Sequence, residues 1–264
     1  MKLNKILYFF IASLVLSFTA CEPIVDELEL SNTTTIDGVE LIADQSTEGG
    51  NGITLKMNTP GVTGYWDYNI GTALTDRTSF IYPIPGLATF KYTGTLGAEF
   101  FEKTVEVQID QLDQRLDQDW YDLVGEDTAA GKTWVYATTP GNGLFWYMSP
   151  PGDAAGYGSV WWNAGDCCCP DASGKIKFDL DGAANYTYDA DGDGNGELGS
   201  FVLDVTNQKL HVVGQPLMGG AIEGGAGNAD GIYEIVSLTE DEMILYIPSS
   251  EGFGTGWTWI FKPE

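Results

Sequence analysis

The chain has 264 residues, of which 38 are Asp or Glu and 12 are Lys or Arg, so its formal net charge at pH 7 is -26. Such an acidic chain is excluded as a nucleic-acid binder, because phosphate contacts are made largely by Lys and Arg. A single His excludes a His-rich metal centre, and 43% hydrophobic residues are enough to build a core, which argues against a disordered chain.

The first twenty residues have the pattern of a secretory signal. Lys2 and Lys5 precede an apolar run over residues 6–16, and small residues follow just before Cys21. The run is too short to span a membrane comfortably. A Cys directly after Thr-Ala resembles a bacterial lipobox, and this resemblance implies that residues 1–20 are removed and that Cys21 is lipidated. The alternative is an ordinary signal peptide with an incidental cysteine.

Residues 21–30 form an acidic tether after the signal. Glu22, Asp26, Glu27 and Glu29 all lie in this stretch. An acidic segment after a lipidated Cys is similar to the surface-export signals of Bacteroidota lipoproteins. The resemblance implies an outer-membrane lipoprotein that is exposed on the cell surface and touches the membrane only through its lipid anchor.

The rest of the chain predicts an all-β protein in two parts. Short runs of alternating apolar and polar residues are separated by Gly, Asn, Asp and Pro, and no long apolar stripe of helical period is present. The polar, glycine-free segment over residues 110–119 is either a short helix or a linker. We place a boundary near residue 115, between a domain of residues 31–114 and a larger domain of residues 115–264.

The first domain resembles an immunoglobulin-like domain of the PKD type. The resemblance is carried in order by residues 65–71 (YWDYNIG), 79–86 (SFIYPIPG), 90–92 and 103–109. In that family a Trp-Asp-aromatic segment on a central strand packs into a two-sheet sandwich. The resemblance therefore implies that Trp66 is a core residue and that the domain is a spacer, without chemistry of its own.

The second domain carries seven of the eight Trp residues. It contains about ten short candidate strands, the content of a β-sandwich or jelly roll. Its pattern resembles the C-terminal module of surface glycan-binding lipoproteins from Bacteroidota polysaccharide-utilisation loci. The resembling segments are residues 132–135, 161–164, 175–182, 233–239 and 257–261. The family implies a jelly-roll-like carbohydrate-binding module, with a TonB-dependent transporter and its glycan-binding lid lipoprotein as partners.

Glycan recognition needs flat apolar rings against the C–H faces of sugars, and Trp and Tyr supply them at a low entropic cost. Adjacent Trp161 and Trp162 should point to opposite faces of a strand, so at most one of them joins a given platform. For each aromatic residue the alternative is core packing, to which we assign Trp120 and Trp134. The candidates for sugar binding are Trp146, Tyr147, Tyr157, Trp161, Trp162 and Trp257.

A second candidate site is an acidic loop in which oxygen-bearing side chains alternate with small residues. Such a loop can fold hard oxygen ligands around one Ca²⁺. Gly194 fits the sixth position of an EF-hand loop, but Ser200 stands at the twelfth position, so an EF-hand is rejected. A looser, structural calcium loop and a solvated hairpin turn stay as alternatives. The candidate ligands are Asp189, Asp191, Asp193, Asn195 and Glu197.

The three adjacent cysteines, Cys167, Cys168 and Cys169, cannot all pair with one another. A vicinal disulfide is one alternative, and a zinc site is disfavoured because adjacent side chains diverge. His211 lies in an alternating strand and is assigned a structural role. No function is assigned to any of the four.

The sequence predicts binding without catalysis. It has no compact carboxylate motif of a glycoside hydrolase and no Gly-x-Ser-x-Gly elbow, and it has only one His. We therefore expect a surface lipoprotein that binds a polysaccharide or oligosaccharide through exposed aromatic residues and supports its uptake. The negative charge favours a neutral glycan. The alternatives are a divergent glycoside hydrolase and a cell-surface adhesin or structural protein.

Overall fold

The computed structural model describes residues 35–137, 145–153, 159–164, 171–219, 227–252 and 254–264. Within these ranges the chain is all-β, as predicted, with one short α-helix and a 3-10 helix, Ile36–Gly38. Residues Val39–Glu264 form one compact unit. None of the described helices has the length and apolar character that a membrane span requires.

The N-terminal half consists of two antiparallel sheets. Strands β1, β2 and β5 form the first sheet, and β4, β3, β6 and β7 form the second, in those orders. The chain therefore crosses between the sheets after β2, after β4 and after β5. The strands are β1 Leu41–Gln45, β2 Gly52–Met57, β3 Val62–Asp67, β4 Thr72–Ala73, β5 Arg77–Ile81, β6 Gly86–Leu96 and β7 Glu99–Ile109.

Aromatic side chains join the two sheets of this half. The Phe80 ring on β5 meets the Phe90 ring on β6 edge to face, with their centroids 5.5 Å apart. Trp66 on β3 is fully buried and lies 5.0 Å from the Tyr92 ring. The prediction that Trp66 is a core residue is therefore confirmed. The two packed sheets fit the predicted sandwich, and its PKD type stays a prediction.

The C-terminal half forms a single antiparallel sheet that closes on itself. A helix, α1, spans Gln118–Val124 and precedes this sheet. The sheet order is β10-β9-β17-β16-β15-β14-β13-β12-β11-β8, and β17 also pairs with β8. The strands are β8 Lys132–Tyr136, β9 Trp146–Ser149, β10 Trp162–Asn163, β11 Lys175–Asp179, β12 Asn185–Asp189, β13 Glu197–Asp204, β14 Lys209–Val213, β15 Ile232–Leu238, β16 Met243–Ile247 and β17 Gly256–Pro263.

This topology is a closed barrel and not the predicted jelly roll. A jelly roll needs Greek-key crossings between two sheets. From β11 to β17, by contrast, each described strand pairs with the next one along the chain. The jelly-roll prediction is therefore wrong, because strand spacing and alternation are the same in both architectures and only the pairing tells them apart.

Two positions in the barrel wall are each shared by two short strands. Tyr136 of β8 pairs with Phe261, and Trp146 of β9 pairs with Trp259, so β8 and β9 follow one another along β17. On their other side β11 pairs with β8, and β10 pairs with β9. The ten strands thus occupy eight positions, and the β9–β10 hairpin extends the wall at the end where β17 begins.

The barrel interior is filled with side chains. At one end, the backbone carbonyl of Leu123 on α1 accepts a hydrogen bond of 2.9 Å from Trp134 Nε1. Trp120 of the same helix is buried, as is Trp134, which confirms the packing role predicted for both. At the other end, buried Met218 accepts a 2.6 Å hydrogen bond from Trp259 Nε1 through its backbone oxygen. An eight-stranded barrel is just wide enough to be filled in this way.

Tyr233 makes this interior sensitive to alkaline pH. Burial raises the pKa of its hydroxyl from 10.0 to about 12. Between these values the unfolded chain has released a proton that the folded chain keeps, so stability falls as the pH rises through this range. We expect the free energy of unfolding to fall by about 2–3 kcal/mol through this group between about pH 10 and about pH 12.

Urea unfolding of the wild type and of Tyr233→Phe at both pH values measures this effect. The variant keeps the ring that packs 5.4 Å from Trp259 and removes only the titrating hydroxyl. The variant should lose less stability than the wild type over the same range. Burial also raises the pKa of Tyr186, and a smaller part of that shift comes from the charge of Tyr233, which the variant removes as well. Equal losses in the two proteins would contradict the prediction.

Candidate functional site

Three tryptophans pack together at the end of the barrel where β17 begins. The rings of Trp146 and Trp257 are stacked, with their centroids 4.8 Å apart. Trp162 meets both rings edge-on, at 5.5 Å from Trp146 and 5.8 Å from Trp257. Register explains the contact, because Met148 of β9 pairs with both Trp162 and Trp257 and so places the two on one face. We call these three residues the tryptophan cluster.

Burial corrects the prediction for three of the sugar-binding candidates. Trp146 is fully buried, Tyr147 is 2% exposed and Trp257 is 4% exposed, so none of them offers a free ring face, and the prediction that they bind sugar is wrong. Alternation along β9 and β17 turns the rings of Trp146 and Trp257 toward the barrel interior. The sequence could not show this, because β16 and most of β17 are buried on both faces and their apolar pattern does not mark the inner one.

Trp161 is the tryptophan that the fold leaves at the surface. All eight Trp residues lie in described parts of the chain: six are buried, Trp162 is half-buried and Trp161 is 58% exposed. Trp161 directly precedes β10 and donates its backbone N–H to the Met148 carbonyl, at 2.8 Å. The two adjacent tryptophans differ in exposure as strand alternation predicts. Tyr157, Cys21 and the cysteines at 167–169 lie outside the described residues.

The acidic loop joins β12 to β13, and it brings three of its five predicted ligands together. Carboxylate oxygens of Asp189, Asp191 and Asp193 lie within 4.8 Å of one another. This spacing fits a shared Ca²⁺, because Ca–O distances of about 2.3–2.6 Å put ligand oxygens on opposite sides of the ion about 5 Å apart. Glu197 does not belong to this group, and Asn195 donates its side-chain amide to Asp193 at 2.9 Å.

Backbone hydrogen bonds shape the same loop. Asp189, which is 8% exposed, accepts the N–H of Gly192 at 2.9 Å on one oxygen and the N–H of Gly194 at 2.8 Å on the other. Both glycines have positive φ, 72° and 92°, which favours glycine at these positions. Hydrogen bonds from the side chain and the backbone of Asn195 lower the pKa of Asp193. The Asp193 carboxylate therefore stays ionised, as a calcium ligand requires.

A surface cavity of about 380 Å³ adjoins this loop. It lies on the outer wall of β8, β11 and β12 and is bordered by Thr133, Lys175, Lys177 and Thr187. Lys175 is paired with Glu264, and Lys177 lies 3.2 Å from Asp179, so both ammonium groups already have carboxylate partners. The cavity is therefore of mixed charge, and it does not form a basic site for an anion.

Sequence analysis missed one buried carboxylate, that of Asp171, which lies just before β11. Asp171 is 6% exposed and accepts hydrogen bonds from the Tyr188 hydroxyl at 2.9 Å and from the Gly219 N–H at 2.8 Å. These bonds join the segment at Gly219 to Tyr188 of β12 through one carboxylate, which is a structural role. No local pattern around Asp171 marks it in the sequence, because its partners lie 17 and 48 residues away.

Comparison with known proteins adds no family to these observations. No protein-family model matches the chain, and no curated protein matches it. The PKD-type and glycan-binding resemblances accordingly stay predictions.

Proposed function

We propose that this protein is a surface lipoprotein that binds a neutral polysaccharide without catalysis. The observation that carries the proposal is the exposed ring of Trp161, since the other tryptophans of the barrel are buried or half-buried. A flat, exposed indole on a hairpin is suited to stack against the C–H face of a sugar. Packing of the neighbouring Trp162 into the tryptophan cluster holds the hairpin in place and lowers the entropic cost of binding.

The position of Trp161 suits capture of an extended ligand. Helix α1 contacts the barrel end where β8 begins, through the hydrogen bond of Lys132 Nζ to the Asp122 carbonyl. Trp161 lies beside the end of β9. Because β8 and β9 follow one another along β17, the end of β9 lies at the end of the barrel opposite to the start of β8. The N-terminal half precedes α1 in the chain and would act as the PKD-type spacer, with Cys21 as the lipid anchor.

The remaining features of the proposal come from the sequence resemblance. They are a place on the outer face of the outer membrane, and a TonB-dependent transporter with its lid lipoprotein as partners. The formal net charge supports a neutral glycan, because an anionic polysaccharide would be repelled by a chain with charge -26.

Affinity electrophoresis of the purified protein tests the function. The gels would contain starch, dextran, galactomannan or xyloglucan as neutral polysaccharides, and alginate as an anionic one. We expect retardation by at least one neutral polysaccharide and none by alginate. No retardation by any of them would contradict the proposal, and release of reducing sugar from a retarding polysaccharide would favour a glycoside hydrolase instead.

We further propose that the acidic loop binds a structural Ca²⁺ through Asp189, Asp191 and Asp193. The ion would offset the repulsion between the three carboxylates, which supports its binding to the folded loop. At a free calcium concentration ten times the dissociation constant, the folded state gains about 1.4 kcal/mol. We expect the melting temperature to rise by about 3–5 °C.

Thermal melting with and without millimolar Ca²⁺ measures this shift. Asp191→Asn should abolish it, because one carboxylate ligand is lost. Asp230→Asn is the matched control, since Asp230 is exposed in the turn before β15 and should leave the shift unchanged. An unchanged melting temperature of the wild type in millimolar Ca²⁺ would overturn the calcium proposal without touching the polysaccharide proposal.

A further inference from the structure

Residues 110–117 connect β7, the last strand of the N-terminal half, to helix α1, and we call them the connecting segment. Their polar sequence is compatible with a short helix or with a flexible linker. Over residues 110–117 the structure has no helix, since α1 begins at Gln118. An irregular polar segment between two domains is usually free to change its conformation. The connecting segment, by contrast, is bonded to both halves.

The turn between β1 and β2 holds the start of the connecting segment. The backbone N–H groups of Asp110 and Gln111 donate hydrogen bonds to the Gly49 carbonyl at 2.8 and 3.1 Å. Gly50 in the same turn is buried, and a Cβ atom placed on it would lie 2.5 Å from the Asp113 carboxylate. Glycine often marks a place where another part of the chain approaches closely. The connecting segment therefore lies directly against this turn of the N-terminal half.

Asn51 holds the next part of the segment. Its side chain is fully buried, with Nδ2 donating to the Gln114 carbonyl at 3.0 Å and Oδ1 accepting the Gln114 N–H at 2.8 Å. The Asn51 N–H donates to Asp113 Oδ1 at 3.1 Å, and its carbonyl accepts the N–H of Tyr82, just after β5, at 2.8 Å. The side-chain amide thus pairs the backbone of the connecting segment as a neighbouring strand would. Separating the two would leave buried polar groups unpaired, which costs free energy.

The end of the connecting segment is bonded to the other half. Leu116 is buried, and its N–H donates to the hydroxyl of Tyr121 on α1 at 3.3 Å. Between Gln114 and Leu116 stands only Arg115, whose guanidinium lies 4.3 Å from the centre of the Tyr121 ring and 3.5 Å from the Glu126 carboxylate. Helix α1 is in turn attached to the barrel through its hydrogen bond with Trp134. No run of free residues therefore separates the two points of attachment.

The two halves also approach each other away from the connecting segment. Tyr68, just after β3, stacks on Phe80 of its own half, with ring centroids 4.4 Å apart. Burial raises the pKa of the Tyr68 hydroxyl, and the charge of Asp204, at the end of β13 in the barrel, raises it further. The Tyr68 hydroxyl is thus close enough to the barrel to feel that charge. A hinge motion at Arg115 would have to change this second approach as well.

We propose that the connecting segment is a rigid joint, held by Asn51 on one side and by α1 on the other, so that the two halves move and unfold as one unit. Few contacts normally cross a domain boundary, and relative motion of the domains is then the default. Here buried hydrogen bonds cross it, and one exposed residue remains between two fixed ones. Such a joint holds Trp161 at a constant distance from the N-terminal half. That consequence rests on the proposed function, whereas the rigidity itself needs no ligand.

Limited trypsin digestion of the full chain tests the joint. Arg115 is the only basic residue between Lys103 and Lys132, so a cut after it separates the two halves. Proteases cleave segments that open locally, and the rate follows the population of the open form. We expect the wild type to resist cleavage after Arg115. Asn51→Ala removes the amide that pairs the Gln114 backbone, and we expect cleavage after Arg115 to be about tenfold faster.

Asn58→Ala is the matched control. Asn58 is exposed, and its amide donates to Glu40 within the same half, so this variant should be cleaved like the wild type. Mass spectrometry of the fragments locates the first cut. Equal rates of cleavage after Arg115 in the wild type and in Asn51→Ala would overturn the inference. A first cut of Asn51→Ala at Arg77 or Lys91, inside strands, would also overturn it, because Asn51 would then stabilise the N-terminal half itself.

Scanning calorimetry of the wild type provides a second test that needs no variant. We expect one melting transition whose calorimetric and van't Hoff enthalpies agree, as for a single cooperative unit. Two transitions, or a calorimetric enthalpy well above the van't Hoff value, would overturn the inference, and this result decides it if Asn51→Ala does not fold. Neither experiment uses a polysaccharide. A protein that binds no polysaccharide therefore contradicts the proposed function and leaves the joint standing.

Discussion

Replacing Trp161 by alanine is expected to weaken polysaccharide binding by about 30-fold, which corresponds to about 2 kcal/mol. The free energy of unfolding should stay within about 0.5 kcal/mol of the wild-type value. The physical reason is that the Trp161 ring is 58% exposed, so it contributes little to the core but offers its face to a ligand. Affinity electrophoresis over a range of polysaccharide concentrations gives the first quantity, and urea unfolding gives the second.

Phe100→Ala is the matched control for this variant. Phe100 is an exposed aromatic residue on β7 of the N-terminal half, with 84% of its surface accessible. Its removal deletes a comparable apolar ring from the same protein but from the predicted spacer. Binding should be unchanged in the control. Equal binding by Trp161→Ala and the wild type would show that Trp161 does not contact the polysaccharide.

Trp146→Ala should have the opposite effect. Its ring is fully buried and is stacked 4.8 Å from Trp257. Truncation of a buried Trp removes its packing contacts and leaves a cavity, so we expect the free energy of unfolding to fall by about 3–5 kcal/mol. Polysaccharide binding per folded molecule should fall much less than in Trp161→Ala, because the Trp146 ring faces the interior and Trp162 keeps its contact with Trp257.

Urea unfolding and affinity electrophoresis on the same preparation check this prediction. Trp161→Ala serves as its control, because it removes the same kind of ring from the surface fifteen residues further along the chain. If Trp146→Ala lost binding at full stability, the ring would be a ligand contact, and the assignment of Trp146 to the core would be wrong. The pair of variants therefore separates core packing from ligand contact for tryptophans that look alike in the sequence.

Part of the candidate site could be predicted because it depends on local chain geometry. The acidic loop is an example: Asp189, Asp191 and Asp193 are close in sequence, and glycines at 192 and 194 adopt the positive φ that turns them toward one another. The opposite facing of Trp161 and Trp162 is another, since it follows from the two-residue period of a strand. Neither needs information from a distant part of the chain.

The pairing between distant segments could not be predicted from local patterns. Tyr147, Thr258 and Tyr246 come from three strands and meet only through the register of β9, β17 and β16. Each looks in the sequence like an ordinary strand residue. The burial of Trp146 and Trp257 also depends on tertiary structure, because β17 is apolar on both faces and its pattern does not say which one the barrel encloses.

The high tryptophan content of the second half has a different meaning once the barrel is known. By itself the sequence determined that the protein is acidic and all-β, that two differently textured parts follow a signal-like segment, and that Trp66, Trp120 and Trp134 belong to the core. These features depend on composition and on short-range periodicity. Only the tertiary structure decided that the second part is a closed barrel, that its tryptophans mostly fill the interior, and that Trp161 remains at the surface. Strand pairing closes the barrel. Strand register decides which tryptophans it encloses, because a shift of one residue in the pairing of a strand would exchange the inner and outer faces of that strand.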